Sequence, residues 1–267
     1  MCTSCKEYGS QDYQNHHVFK EIEHMMAYYD AVSFTCFSFF PIGAPGLANY
    51  ASYIYLSLKG TLESILLILK AGQIADAFTL IRKYYDDVLV DIYFDIVRKD
   101  KFDWVENNVV KEVDEWITGK ARIPKVEIIL RVMKQSPSAK ELYPFFDWDN
   151  ELKQFRELLD DNVHSNSYSN MLMNSKDVMF GDRMKRLESA STILKQLFTI
   201  HLAFIFHLNG HYMMASDYMD CMEMNMTPPS GSERWLAPYA QLAFDEFIKP
   251  YPKMASFVRE HCVMDIA

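Results

Sequence analysis

The sequence predicts an all-α protein, an up-and-down helical bundle of four to five long helices with additional short ones. Three observations carry that prediction. Only nine glycines and ten prolines interrupt 267 residues, so the elements between turns are long. Residues 47–99 repeat apolar side chains at three- and four-residue steps, the period of an amphipathic helix. Short alternating runs bounded by Gly or Asn-Gly, the mark of strands and hairpins, are nearly absent.

The 47–99 stretch organises the chain. Its first half places Leu58, Leu62, Ile65, Leu66 and Leu69 on one face, with Lys59, Glu63 and Lys70 away from them. After Gly72, residues Phe78, Tyr85, Leu89, Ile92, Tyr93 and Ile96 share one side of the wheel, and Lys83, Asp87, Asp91 and Lys99 fall roughly opposite. Helices over 47–71 and 73–99 then pair as an antiparallel hairpin, a natural bundle nucleus. Ahead of them, 13–40 reads as a helix with Val18, Ile22, Met25, Met26 and Tyr29 on one side. Pro41, Gly43, Pro45 and Gly46 end it.

After Lys101, the residues Gly119, Pro124, Pro137 and Pro144 separate three short pieces, 104–117, 125–135 and 140–145. A helix over 150–164, capped by Asp147 or Asp149, gathers Leu152, Phe155, Leu159 and Val163. It stops in a run rich in Asn and Ser, residues that compete for backbone hydrogen bonds. A loop over 175–181 leads to a second long core helix, 182–208, with Leu187, Ala190, Leu194, Leu197, Ile205 and Leu208 on one side and His201 in their midst. The methionine-rich stretch 211–226 suits irregular gaps and adaptable surfaces. Beyond Pro228 and Pro229, two last helices cover 233–249 and 252–262. Residues 1–12 read as a flexible tail and 13–267 as a single helical domain, in which 103–146 could form a cap subdomain.

Composition narrows the function classes. A hydrophobic fraction of 49% is too high for a disordered chain. The net charge of −9 disfavours DNA and broad contact with a phosphate backbone, although a local basic pocket stays open. Five cysteines, an odd and scattered set, point to a reducing compartment and a cytoplasmic location. Cys2 and Cys5 form a single C-x-x-C with no second pair, too little for a zinc site. The first apolar run begins only after 11–17, which is not a signal-peptide pattern. The most hydrophobic window, 187–208, includes Lys195, Gln196, His201 and His207, so it reads as a buried core helix and no membrane contact is expected. Gly-rich phosphate loops, G-x-S-x-G, H-E-x-x-H and the dinucleotide fingerprint are all missing, so no cofactor is expected.

Two places carry candidate chemistry. Arg82 lies within the apolar side of its helix, with Asp86 one turn on. A guanidinium facing a core needs pairing, because it cannot shed its proton. The two form either a buried ion pair that fixes helix packing or a pocket where Arg82 meets a phosphate or carboxylate and Asp86 holds the fork. His164 stands in the run Asp160–Asn166, either as a capping residue or as an acid/base group. The other histidines read more simply. His16, His17 and His24 read as surface or cap residues. His207 and His211 have the i, i+4 spacing of metal ligands near Asp217 and Asp220, but Gly210 interrupts them, and no metal is expected. His201 reads as a hydrogen-bonded core residue that could partner Asp86.

Arg82 with Asp86 one turn on, followed later by a helix ending in Val163-His164-x-Asn166, resembles the HEPN-type helical superfamily. More narrowly, the chain is similar to uncharacterised bacterial relatives of abortive-infection proteins over about 50–100 and 150–210. The resemblance implies a defence or toxin-type protein, either cleaving RNA without metal through an Arg and a His a few residues apart, or a degenerate non-catalytic relative. It also implies a homodimer. Carried over, His164 would be the general acid/base, with Arg82 and Asp86 at the phosphate. The nearest arginine upstream of His164 is Arg156, with seven residues between them, a wider spacing than the family's. The alternative is a non-enzymatic helical scaffold, self-associating, whose Met- and Tyr-rich surface binds a protein or a small anionic ligand.

Overall fold

The structure is a computed structural model that describes residues 7–38, 50–103, 105–106, 109–175 and 183–267. Among these residues the regular elements are all helical, as expected; only isolated bridges join Met214 to Leu236 and Trp235 to Asp265.

Of the expected tail over 1–12, residues 7–12 are described. Glu7–Gly9 forms a 3₁₀ turn and α1 spans Gln11–Gln14, capped by Ser10. Tyr13 is fully buried and its hydroxyl donates to the Leu69 carbonyl at 2.7 Å. Gln14 Nε2 donates to the Lys70 carbonyl at 3.0 Å. An aromatic anchor with a satisfied hydroxyl holds this segment down, which its polar composition hides. The expected single helix over 13–40 is broken at Asn15 and His16, and α2 spans His17–Ser38. Cys2, Cys5 and the Pro/Gly break at 41–46 lie outside the described residues.

The hairpin forms as expected. Helix α3 (Tyr50–Lys70) meets α4 (Ile74–Lys101) through a turn in which Gly72 has φ +78°, a left-handed conformation that glycine adopts at low cost. A side chain at Gly72 would also collide with Tyr8, whose Cβ would lie 2.7 Å from the added Cβ. Then follow α5 (Lys111–Ile117), α6 (Val126–Gln135), a 3₁₀ turn at Tyr143–Phe145, α7 (Glu151–Val163) and the short α8 (Tyr168–Leu172). The second long core helix is α9 (Arg183–Asn209), after which come α10 (Ser216–Glu223), α11 (Pro238–Ala243) running into a π turn, and α12 (Pro252–His261).

The chain divides into two compact units. The first gathers Met1–Ala27, Ser57–Val88 and Asp147–Phe198; the second gathers Tyr28–Leu56, Leu89–Phe146 and Thr199–Ala267. Residues 103–146 therefore belong to the larger second unit. The division was invisible because it cuts through α2, α3, α4 and α9, where no linker composition marks it. The first unit buries Tyr13, Ile22, Leu62, Phe78, Leu159 and Leu187; the second buries Tyr29, Val32, Ile92, Phe204, Phe206 and Phe244. Among the described residues, two stretches, Tyr50–Lys70 and Arg183–Met213, are long and apolar enough to cross a membrane, with 44% and 78% of their windows inside the fold.

Candidate functional site

In the first unit, α4 delivers Arg82 to α7. Its Nε lies 2.5 Å from Asp160 Oδ1, and Nη1 forms an ion pair with Asp86 that lacks hydrogen-bond geometry. The guanidinium also lies 5.5 Å from the centre of the Tyr85 ring. Its side chain is 12% exposed, against 43% for Asp86 and 39% for Asp160. Burial alone would lower the Arg82 pKa, but the two carboxylates outweigh it and raise the pKa above its ordinary value. Arg156 adds a longer contact, 3.9 Å from Asp160 Oδ2. A phosphate arriving here would compete with two carboxylates for one guanidinium.

His164 is exposed at the C-cap of α7, and its backbone N–H donates to the Asp160 carbonyl at 3.0 Å. The structure thus joins Arg82, Asp86 and Asp160, with His164 one turn beyond Asp160. Arg156 and His164, eight positions apart, are separated by about 12 Å of helix rise. The buried member of the run is Asn162, whose Nδ2 donates to the Leu158 carbonyl at 2.8 Å.

The second unit holds a polar cluster that the wheel placed in water. Asp91 was expected on the polar side of α4; it is instead fully buried. Its Oδ2 lies 2.7 Å from His201 Nε2, and His201 Nδ1 lies 2.7 Å from the Tyr29 hydroxyl. His201 is the hydrogen-bonded core residue anticipated, but its partner is Asp91 and not Asp86. One turn on, buried Asp95 accepts from Asn209 Nδ2 at 2.5 Å, from the Tyr50 hydroxyl at 3.2 Å and from Arg98 Nη2 at 3.4 Å. Arg98 Nη2 also donates to Asn209 Oδ1 at 2.7 Å. Burial pushes both Asp91 and Asp95 up to about 7 and pulls His201 down to about 3. Tyr29, His201 and Asp91 form a chain that can carry one proton in either direction. With Asp91 ionised, Tyr29 donates to His201 and His201 to Asp91; with Asp91 protonated, both bonds reverse. Asp91 Oδ1 and the Tyr55 hydroxyl are buried without hydrogen-bond partners. The signal for this cluster was present in 88–97, where two acids four residues apart interrupt an otherwise apolar run.

Arg183 was also missed. It is 1% exposed and donates to the carbonyls of Gly72 (2.9 Å), Met173 (3.3 Å) and Ser175 (2.7 Å). An arginine at a helix start carries no sequence sign of such a backbone clasp.

The histidines separate. His207 Nε2 lies 2.7 Å from the Ser138 carbonyl, and α9 ends at Asn209 before a 3₁₀ turn carries His211, so the helical spacing needed for a shared metal is lost. His16 and His17, however, meet a carboxylate from a distant helix. Glu188 Oε2 is 3.4 Å from His16 Nε2 and 3.5 Å from His17 Nε2. Glu188 also lines a groove of about 280 Å³ with Phe155, Leu158, Lys185, Thr192 and Ile193.

Compared with known protein families, curated proteins and solved structures, the chain matches none.

Proposed function

We propose that this protein works by binding a protein partner through the second unit, with a second copy of itself as the occupant to test first. The reading rests on exposed apolar surface there. Phe34, Phe37, Tyr53 and Leu56 are 75%, 44%, 58% and 44% exposed. The Ser52 hydroxyl donates to the Ser33 carbonyl at 2.8 Å, which joins α2 and α3 at the residues next in sequence to Phe34 and Tyr53. Contiguous exposed apolar side chains on a folded surface mark interaction sites. The methionine-rich stretch adds Met222, Met224 and Met226, 54%, 70% and 58% exposed, while Met213 and Met214 turn inward. The charged groups around Arg82, by contrast, are neutralised by one another, and those of the Asp91 cluster are buried. Light scattering across a concentration series tests this. A dimer that becomes monomeric in Phe34→Asp and Tyr53→Asp at unchanged melting temperature is the expected result; a monomer at every concentration overturns the self-association.

A second reading is kept because one residue stands between its members. In a HEPN-like ribonuclease, the Asp160 carboxylate would hold Arg82, Asp86 would complete the pair, and His164 would follow one turn further along α7, its backbone N–H on the Asp160 main-chain carbonyl. Cleavage of a mixed RNA pool in chelator, lost in both His164→Ala and Arg82→Ala while both variants stay folded, would install this reading instead. On the binding reading, no sample cleaves.

A further inference from the structure

We infer that His16, His17 and Glu188 form a binding site for a divalent cation of the zinc type. The three ligand atoms lie within 4.8 Å of one another, and the two edges that meet at Glu188 Oε2 are 3.4 and 3.5 Å. A tetrahedral ion with bonds of about 2.0–2.1 Å to nitrogen and oxygen holds its ligand atoms about 3.4 Å apart, so the existing spacing needs little change to enclose one. The local fold explains how consecutive histidines converge. On a continuous helix they would diverge, but the break at Asn15 and His16 leaves His16 just before α2 and His17 at its first position. The two rings stack at 4.3 Å between centroids, with an interplanar angle of 27°. Glu188 comes from α9, which brings the third ligand across the sequence.

The protonation state fits. Burial lowers the His16 pKa, the direction a metal ligand needs. The side chains of His17 and Glu188 are 52% and 61% exposed, so an ion has a path in and water can fill the remaining coordination positions. Glu21 Oε1 is 3.8 Å from His17 Nε2, but that oxygen is also 3.2 Å from Lys195 Nζ, and Ser191 donates to Glu21 Oε2 at 2.5 Å. Glu21 therefore adds negative charge beside the ion without a fourth bond. One contact opposes loading. His16 Nδ1 accepts from the Val18 N–H at 3.3 Å, and coordination through Nε2 moves the ring proton to Nδ1 and gives up that bond. The expected affinity is therefore micromolar, below that of closed structural sites.

Titration calorimetry of the chelator-treated full chain with Zn²⁺ tests the site, alongside the melting temperature with and without the ion. The expected result is one equivalent bound and a raised melting temperature. Both effects should weaken at least tenfold in His17→Ala and in Glu188→Gln, exposed positions whose metal-free melting temperature stays that of the wild type. Absence of saturable binding, or binding of equal strength in the two variants, overturns the site; the second outcome places the ion elsewhere in the chain.

Discussion

Arg82 and Asp91 belong to one helix, α4, and to different units, and they meet burial in opposite ways. Arg82 cannot give up its proton, so the first unit surrounds it with Asp86 and Asp160, both still about 40% exposed and screened by water. Asp91 can take a proton, so the second unit seals it completely beside His201 and Tyr29 and moves the titrations of both groups. A fixed charge keeps its counterions near solvent; a titratable one can enter the core if protonation removes the charge. The same contrast separates chemistry from architecture, because neither arrangement presents an unneutralised charge to an incoming ligand.

The largest effect should come from His201→Ala. It removes the partner of both Asp91 and Tyr29 and leaves a void among Tyr29, Tyr55 and α4. Broken buried pairs and cavities of this kind cost about 3–5 kcal/mol, so urea unfolding should show a marginal or unfolded variant. A loss below about 1 kcal/mol would mean that water replaces the ring, and the sealed character of the second unit would be lost with it. Arg183→Ala should follow, at about 3 kcal/mol, since three carbonyls lose a charged donor.

The pH dependence sharpens the contrast without breaking the fold. Asp91 and Asp95 are raised from 3.8 to about 7, so the folded state keeps protons that the unfolded chain releases. Their contribution is greatest below about pH 4 and is lost as pH rises through about 7. His201 is lowered from 6.5 to about 3, so the unfolded chain gains a proton below pH 6.5 that the folded state refuses, and acid destabilises through this group. The two trends oppose each other between about pH 4 and 6.5. The unfolded histidines lose most of their protons by about pH 7, and from there to about pH 8 the carboxylates dominate, so stability should fall as pH rises. Asp91→Asn, which can still hydrogen-bond His201, should flatten that fall. An unchanged slope in urea midpoints would show that Asp91 is not one of the titrating groups.

The legible parts of the chain are those whose information is local. Gly72 and the leucine series of α3 announced the hairpin, and Asp91 aside, the wheel of α4 found its buried face. What escaped depends on contacts between residues far apart in sequence. Asp91 was sent to solvent by its residue type, although its neighbours Val90 and Ile92 already spoke for the core. Asp160 as a second partner for Arg82, Glu188 as a third ligand beside His16 and His17, and the carbonyls around Arg183 all come from other elements. The Arg82–Asp86 pair was read correctly as neighbours, but the burial of the two proved unequal.

That inequality sets the smallest of the expected effects. Removing Arg82 strands Asp86 and Asp160, but both reach water, so neither becomes a buried unpaired charge. Arg82→Ala should therefore cost about 1 kcal/mol, part of it from lost contact between the guanidinium and the Tyr85 ring. A double-mutant cycle of Arg82→Ala with Asp160→Ala should return a coupling of about 0.5–1 kcal/mol that shrinks as salt is added. A coupling of several kcal/mol, insensitive to salt, would place the pair in the same sealed class as Asp91 and His201. Arg82 would then be an architectural charge in the strict sense, and the ribonuclease reading would lose the one guanidinium on which it depends.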